Sequence, residues 1–144
     1  EIIFLLKKRI KKNEGFSQTP YLDSLGFLTV GYGHLIRKNE ISKFQKKISK
    51  KNLNEIFNLD YQKAINDYNK EYKKKKHPKA TKEVLIEMIF QMGIKNQKKF
   101  LKMNKYIDKK HLFMAALEMK KSVWYIQTPS RVEGLIKILL KKNN

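Results

Sequence analysis

Apolar residues recur along this 144-residue chain at more than one spacing, and the change of spacing divides it. From Ser49 onward, Leu53, Ile56, Phe57, Tyr61, Ala64, Ile65, Tyr68 and Tyr72 follow the i, i+3, i+4, i+7 rule, which keeps one face of a helix apolar. The spacing predicts one long amphipathic helix over about 49–73 with Ser49 as its N-cap. Lys73 to Lys76 and Pro78 close it, because proline cannot continue the hydrogen-bond ladder. Residues 1–13 predict an earlier helix that Gly15 stops. Further helical segments fall around 81–92, 96–105 and 109–120. For the last helix, Thr128 is the expected cap and Pro129 suits the first helical position. Val132, Leu135, Ile136, Leu139 and Leu140 form its apolar stripe.

Between Phe16 and Ile36 the texture is different. Glycines at 26, 31 and 33 punctuate Tyr21, Phe27, Thr29, Val30 and Tyr32, which predicts short strands turning at Asp23-Ser24-Leu25-Gly26. This is the chain's one β-like segment, so the fold class is α+β and mostly α.

Composition narrows the class. The length suits one compact domain. The absence of cysteine excludes disulfides, thiolate metal sites and cysteine nucleophiles. A net charge of +20, from 33 basic against 13 acidic residues, sets up a positive field whose partners are polyanions. Nucleic acid, anionic lipid and an anionic cell wall satisfy such a field equally. Nearly all the charge is lysine, with Arg9, Arg37 and Arg131 the only arginines, and coding bias toward AT-rich codons explains that as well as selection does. No apolar run approaches the roughly 20 residues of a membrane span. The short start Ile2-Ile3-Phe4-Leu5-Leu6 is followed, not preceded, by its basic residues, so no secretory signal is expected.

Three side chains are candidates for chemistry. Glu14 ends a helix just before a glycine, where the negative end of the helix dipole favours the protonated acid and suits proton donation to a leaving group. Lys11 and Lys12 push the other way, and a frayed surface glutamate fits the position too. Asp23 lies at a turn, where aspartate also serves simply as a cap. Thr29, six residues on in a strand, is equally explained by β-branching. One further residue stands out by pattern: Asp60 falls on the apolar stripe between Phe57 and Tyr61, where a lone charge is costly without a partner.

In combination these residues are more specific. Glu14-Gly15, Tyr21-x-Asp23, Gly26 and Thr29-Val30-Gly31-Tyr32-Gly33-His34 together resemble the active-site run of the T-even phage lysozyme family and related phage endolysins, at the same internal spacings. Phe90-Gln91-Met92-Gly93 and Trp124-Tyr125-x-Gln127-Thr128-Pro129-x-Arg131 are similar to two more of that family's segments, so the resemblance runs in order along nearly the whole chain. It implies a single lysozyme-like domain over 1–144. A β-containing lobe at about 14–48 is joined by a connecting helix at about 49–73 to a helical lobe at about 79–144, which also takes in helix 1–13, and the cleft lies between the lobes.

The implied activity is that of an N-acetylmuramidase, an endolysin that cleaves bacterial peptidoglycan with inversion and lyses the cell. Glu14 becomes the general acid, Asp23 the second carboxylate and Thr29 the residue that places the attacking water. That mechanism requires the two carboxyl groups to stand roughly 6.5–9.5 Å apart. Leu35, Phe90 and Gln91 match positions that line the family's cleft, and Arg131 matches an arginine near the acid; core packing for Leu35 and Phe90, and surface polarity for Gln91 and Arg131, are the plain alternatives. His34 is the implied partner of Asp60, tying the β-lobe to the connecting helix. No cofactor and no metal are called for. The expected partners are peptidoglycan and the anionic cell envelope, met by a monomer that accumulates in the producing cell's cytoplasm and acts on the wall after release, with no specific nucleic acid and no transmembrane segment.

The chain departs from the family where Met103 and Glu118 replace small polar, sugar-contacting residues, and in a shorter stretch between Ile36 and Ser49. The competing readings are a non-enzymatic cationic binder of polyanions, marked by steep salt dependence, a cationic membrane disruptor, and a wall-binding pseudo-enzyme.

Overall fold

The computed structural model describes residues 2–141. The chain divides into two compact units, Glu1–Lys63 and Ala64–Asn144. A small β-sheet with its flanking helix belongs to the first, and the second is helical among the described residues. The long helix α2, Lys50–Tyr72, runs out of the first unit into the second. This is the lysozyme-like α+β architecture.

In the first unit, α1 spans Ile2–Glu14 and ends where Gly15, at φ +74, donates its N–H to the Lys11 carbonyl. The left-handed conformation costs glycine little and stops the helix sharply. A three-stranded antiparallel sheet follows in the order β1 (Ser17–Leu22), β2 (Leu28–Gly31), β3 (His34–Leu35). The turn between β1 and β2 forms over Asp23 to Gly26, closed by Gly26 N–H to the Asp23 carbonyl at 2.9 Å. Val30 pairs with His34, while Thr29 pairs with both Tyr21 and Leu35. Because facing residues in a sheet share a side, Val30 faces the core with Ile36, Phe44 and Leu53, and Tyr21, Thr29 and Leu35 form a row on the opposite side. A 3-10 stretch, Lys38–Phe44, brings Phe44 into that core. α2 starts at its predicted cap, with Ser49 Oγ accepting from Asn52 N–H at 3.1 Å.

The second unit holds the end of α2, then α3 (Lys79–Met92), α4 (Ile94–Lys98), α5 (Leu101–Asp108), α6 (Leu112–Lys120), α7 (Val123–Gln127) and α8 (Pro129–Leu139). The helix expected over 96–105 is two helices with a break at Phe100, whose ring packs edge-on against Trp124 at 5.8 Å. That contact is tertiary, and local periodicity carries no trace of it. Pro129 opens α8 as expected, but Thr128 does not cap it through its side chain; its hydroxyl donates back to the Trp124 carbonyl at 3.2 Å. Val132, Leu135, Ile136 and Leu139 are buried, whereas Leu140 is exposed. Among the described residues no helix is long and apolar enough to cross a membrane.

Candidate active site

The chemistry-bearing residues of the first unit gather around β1 and β2. Glu14, half-buried, is the last residue of α1. Its carboxylate lies against Gly33 in the β2–β3 turn: a Cβ built on Gly33 would collide with the Glu14 carboxylate and come within 2.8 Å of its Cδ. Gly33 also sits at φ +74, so both its backbone and its missing side chain make room for the acid. Lys11, which the sequence set against Glu14, is engaged elsewhere. Its ammonium donates to Asn54 Oδ1 at 2.9 Å and lies over the Tyr32 and Phe57 rings. Burial, with Lys7 and Lys50 nearby, lowers its pKa.

Asp23 serves its turn with one oxygen only. Oδ1 accepts from Leu25 N–H at 2.9 Å and from Phe27 N–H at 2.8 Å, while Oδ2 has no hydrogen bond among the described residues. Thr29 is buried, and its hydroxyl donates to the Phe27 carbonyl at 2.9 Å, leaving the oxygen's lone pairs to accept. The same carbonyl accepts from Asp23 N–H at 2.9 Å, so Asp23 and Thr29 are tied through one peptide group. Tyr21 faces Thr29 across the strands. Burial first, then the negative charges of Glu14 and Asp23, push its phenol above the ordinary range. Both carboxylates therefore act on one side chain, which no single-residue reading of the sequence had singled out.

Behind the sheet, His34 Nδ1 lies 2.8 Å from Asp60 Oδ2. Its Nε2 lies 3.2 Å from Glu40, a partner the sequence reading missed because it sits in an unpredicted 3-10 stretch. Asp60 is partly exposed, not buried on the stripe. The hydrogen bond to Asp60 raises the His34 pKa against burial. Burial pushes Glu40 upward, but the Arg37 backbone N–H and the charge of His34 outweigh it and hold Glu40 below its ordinary value. Among the described residues no group of three or more His, Asp or Glu side chains has metal-site geometry.

In the second unit, the remaining candidates have specific partners. Gln91 Oε1 accepts from the Trp124 indole at 3.0 Å. Arg131 Nε donates to Glu87 Oε2 at 3.0 Å, with the arginine side chain 9% and the glutamate 0% exposed. Surface polarity describes neither residue. Phe90, next to Gln91 in sequence, is half-buried, and Leu35, in the first unit, is exposed. Met103 is buried and Glu118 pairs with Lys121 at 3.2 Å; both line a cavity of about 350 Å³ with Phe100.

The sequence pattern of the phage lysozyme family matches residues 11–138. The chain belongs to that family. Its relatives include two proteins of Dictyostelium discoideum: "Probable T4-type lysozyme 2", 34% identical with 92% of each chain covered, and "Probable T4-type lysozyme 1", 31% identical with 93% of this chain and 92% of the relative covered. As a phage lysozyme, the chain is a glycoside hydrolase by lineage. Glycoside hydrolysis uses a pair of carboxyl groups, and the candidates here are Glu14 and Asp23, with Thr29 as an accompanying hydroxyl. All three lie in the family's matched segment.

Proposed function

We propose that the chain is an N-acetylmuramidase that hydrolyses the β-1,4 bond between N-acetylmuramic acid and N-acetylglucosamine in bacterial peptidoglycan, with inversion. The observation that supports this reading best is the phage lysozyme family match over residues 11–138, which takes in Glu14, Asp23 and Thr29. Glu14 protonates the leaving oxygen. Asp23 takes a proton from water through the oxygen its turn does not use. Thr29, its own proton committed to Phe27, accepts a hydrogen bond from that water and so aims it. Leu35, Phe90 and Gln91 are the glycan contacts in this reading, whereas Arg131, 9% exposed and held by Glu87, braces its own helix pair, and acid–base hydrolysis of this kind calls for no cofactor.

The net charge of +20 favours encounter with the anionic envelope, an attraction screened beyond about 8 Å at physiological ionic strength. Added salt therefore slows clearing of whole walls more than hydrolysis of a short neutral oligosaccharide; equal sensitivity would remove the envelope from the account. We place the enzyme, as a monomer, in the producing cell's cytoplasm until the inner membrane is opened, which fractionation of producing cells before and after lysis tests.

The decisive experiment is mass and NMR analysis of products from purified peptidoglycan. Reducing N-acetylmuramic ends, first formed as the α anomer, are expected. Anhydro ends would make the protein a lytic transglycosylase, a first-formed β anomer would make it retaining, and uncleaved glycan would leave the cationic-binder reading standing.

A further inference from the structure

The second unit contains a cavity of about 440 Å³ lined by none of the residues assigned above to glycan or catalysis. Around it stand Lys75, Lys76, His77, Asp108 and Lys110, with Ile107 and Leu112 as an apolar wall. Lys75 and Asp108 neutralise each other at 2.9 Å. Among the described residues, Lys76 and Lys110 have no ion-pair partner.

These two lysines share a second property: their φ angles are 52° and 61°, in the left-handed region that favours glycine or asparagine. Lys110 fills the glycine position of the motif that ends α5, with Lys110 N–H bound to the Ile107 carbonyl at 2.9 Å and His111 N–H to the Tyr106 carbonyl at 2.8 Å. Lys76 ends the 3-10 turn Lys73–Lys75 after α2. Two separate turns thus carry a cation where the backbone suits glycine, and both cations line one cavity.

His77 adds a donor of a different kind. Burial lowers its pKa, so the ring is neutral at pH 7. Its Nδ1 lies 2.8 Å from the Tyr68 hydroxyl, whose own pKa burial pushes up to about 12. A phenol donating to Nδ1 leaves the ring proton on Nε2.

We propose that this cavity binds a phosphate ester, with Lys76 and Lys110 as its charge partners, the His77 Nε2–H as a neutral donor, and Ile107 and Leu112 against the ester's carbon chain. Compact ammonium groups from two turns suit a tetrahedral anion, and no arginine fork lines the cavity to select a planar carboxylate. The volume exceeds what a bare phosphate fills, which is why an ester is the expected ligand. A free phosphorylated metabolite and the glycerol phosphate repeat of a wall polymer present the same chemistry.

The test is NMR titration of the full chain with inorganic phosphate, glycerol 3-phosphate and a short glycerol phosphate oligomer, at constant ionic strength balanced with chloride. Saturable shifts at the His77 ring and the Lys76 and Lys110 amides are expected, tighter for the ester than for inorganic phosphate. An oligomer that binds more tightly than the monoester identifies the wall polymer as the source, and equal affinity identifies the free ester. The double variant Lys76→Gly/Lys110→Gly suits both turns and removes both cations, and it should weaken binding at least about tenfold. Lys8→Gln/Lys51→Gln, which removes the same charge from the first unit, should leave affinity unchanged. Equal weakening in both variants, or the same shifts with chloride alone, or no saturation, would overturn the proposal. Because only binding is read, the outcome is independent of the muramidase reading.

Discussion

Acidic side chains are outnumbered 33 to 13 in this chain, and its two units use them in opposite ways. In the first, Asp60 and Glu40 flank a histidine while 31% and 25% exposed, and Glu14 and Asp23 are half-buried around Tyr21. In the second, Glu87 is fully buried and its partner is Arg131. A guanidinium does not titrate under ordinary conditions, whereas an imidazole does so near neutrality. The same residue types thus give one unit carboxylates partly open to water beside a titratable imidazole, and the other a buried carboxylate matched to a cation that keeps its charge.

The largest expected effect lies in the first unit and is chemical. Glu14→Gln should reduce wall clearing by roughly 100- to 10,000-fold with an unchanged melting temperature. A variant that clears near the normal rate would remove Glu14 from the mechanism. Gly33→Ala should approach the same loss by displacing the carboxylate, with some destabilisation because φ there is positive.

Next comes the dry pair. Glu87→Met leaves a guanidinium in a buried setting without this counter-charge, at a cost of about 3–5 kcal/mol in denaturant unfolding. Adding Arg131→Met should recover most of that loss. A double variant no more stable than the single one would show that Arg131 does not depend on Glu87.

The histidine pair should cost less and should follow pH. His34→Asn is expected to lose about 1–3 kcal/mol. The folded pKa of His34 is raised, so its contribution is full below the unfolded value near ~6.5 and fades as pH rises through the folded one. Glu40 is lowered, so its contribution is present above ~4.3 and fades as pH falls through its folded value. The wild-type advantage over His34→Asn should therefore peak in mildly acidic solution and shrink at alkaline pH. An advantage that persists unchanged at high pH would mean that charge is not what holds His34.

The smallest effect is a gain. Lys110→Gly relieves about 1–2 kcal/mol of left-handed strain, offset by the freer unfolded chain that glycine allows, about 0.4–1 kcal/mol. A net rise in stability on the order of 0.5 kcal/mol is expected by denaturant midpoint, and a fall would mean that the lysine side chain itself stabilises the turn.

Much of this was legible along the chain because it is local. A helix face is written every three or four residues, so α2 and the buried stripe of α8 could be read directly, as could the Ser49 cap and the turn from Asp23 to Gly26. Glu14, Asp23 and Thr29 stood out as candidates only together, through the resemblance of their spacing and neighbouring glycines to a family's active-site run, and none was distinctive alone. The seat of Glu14 on Gly33, the second carboxylate on His34, the Glu87–Arg131 pair and the break at Phe100 were not. Each joins residues from different elements, and local periodicity records only which face a residue turns inward, not which side chain it meets there. Backbone order was thus determined by the sequence read locally, while the partners of its charged groups were decided only when folding brought distant segments into hydrogen-bond range.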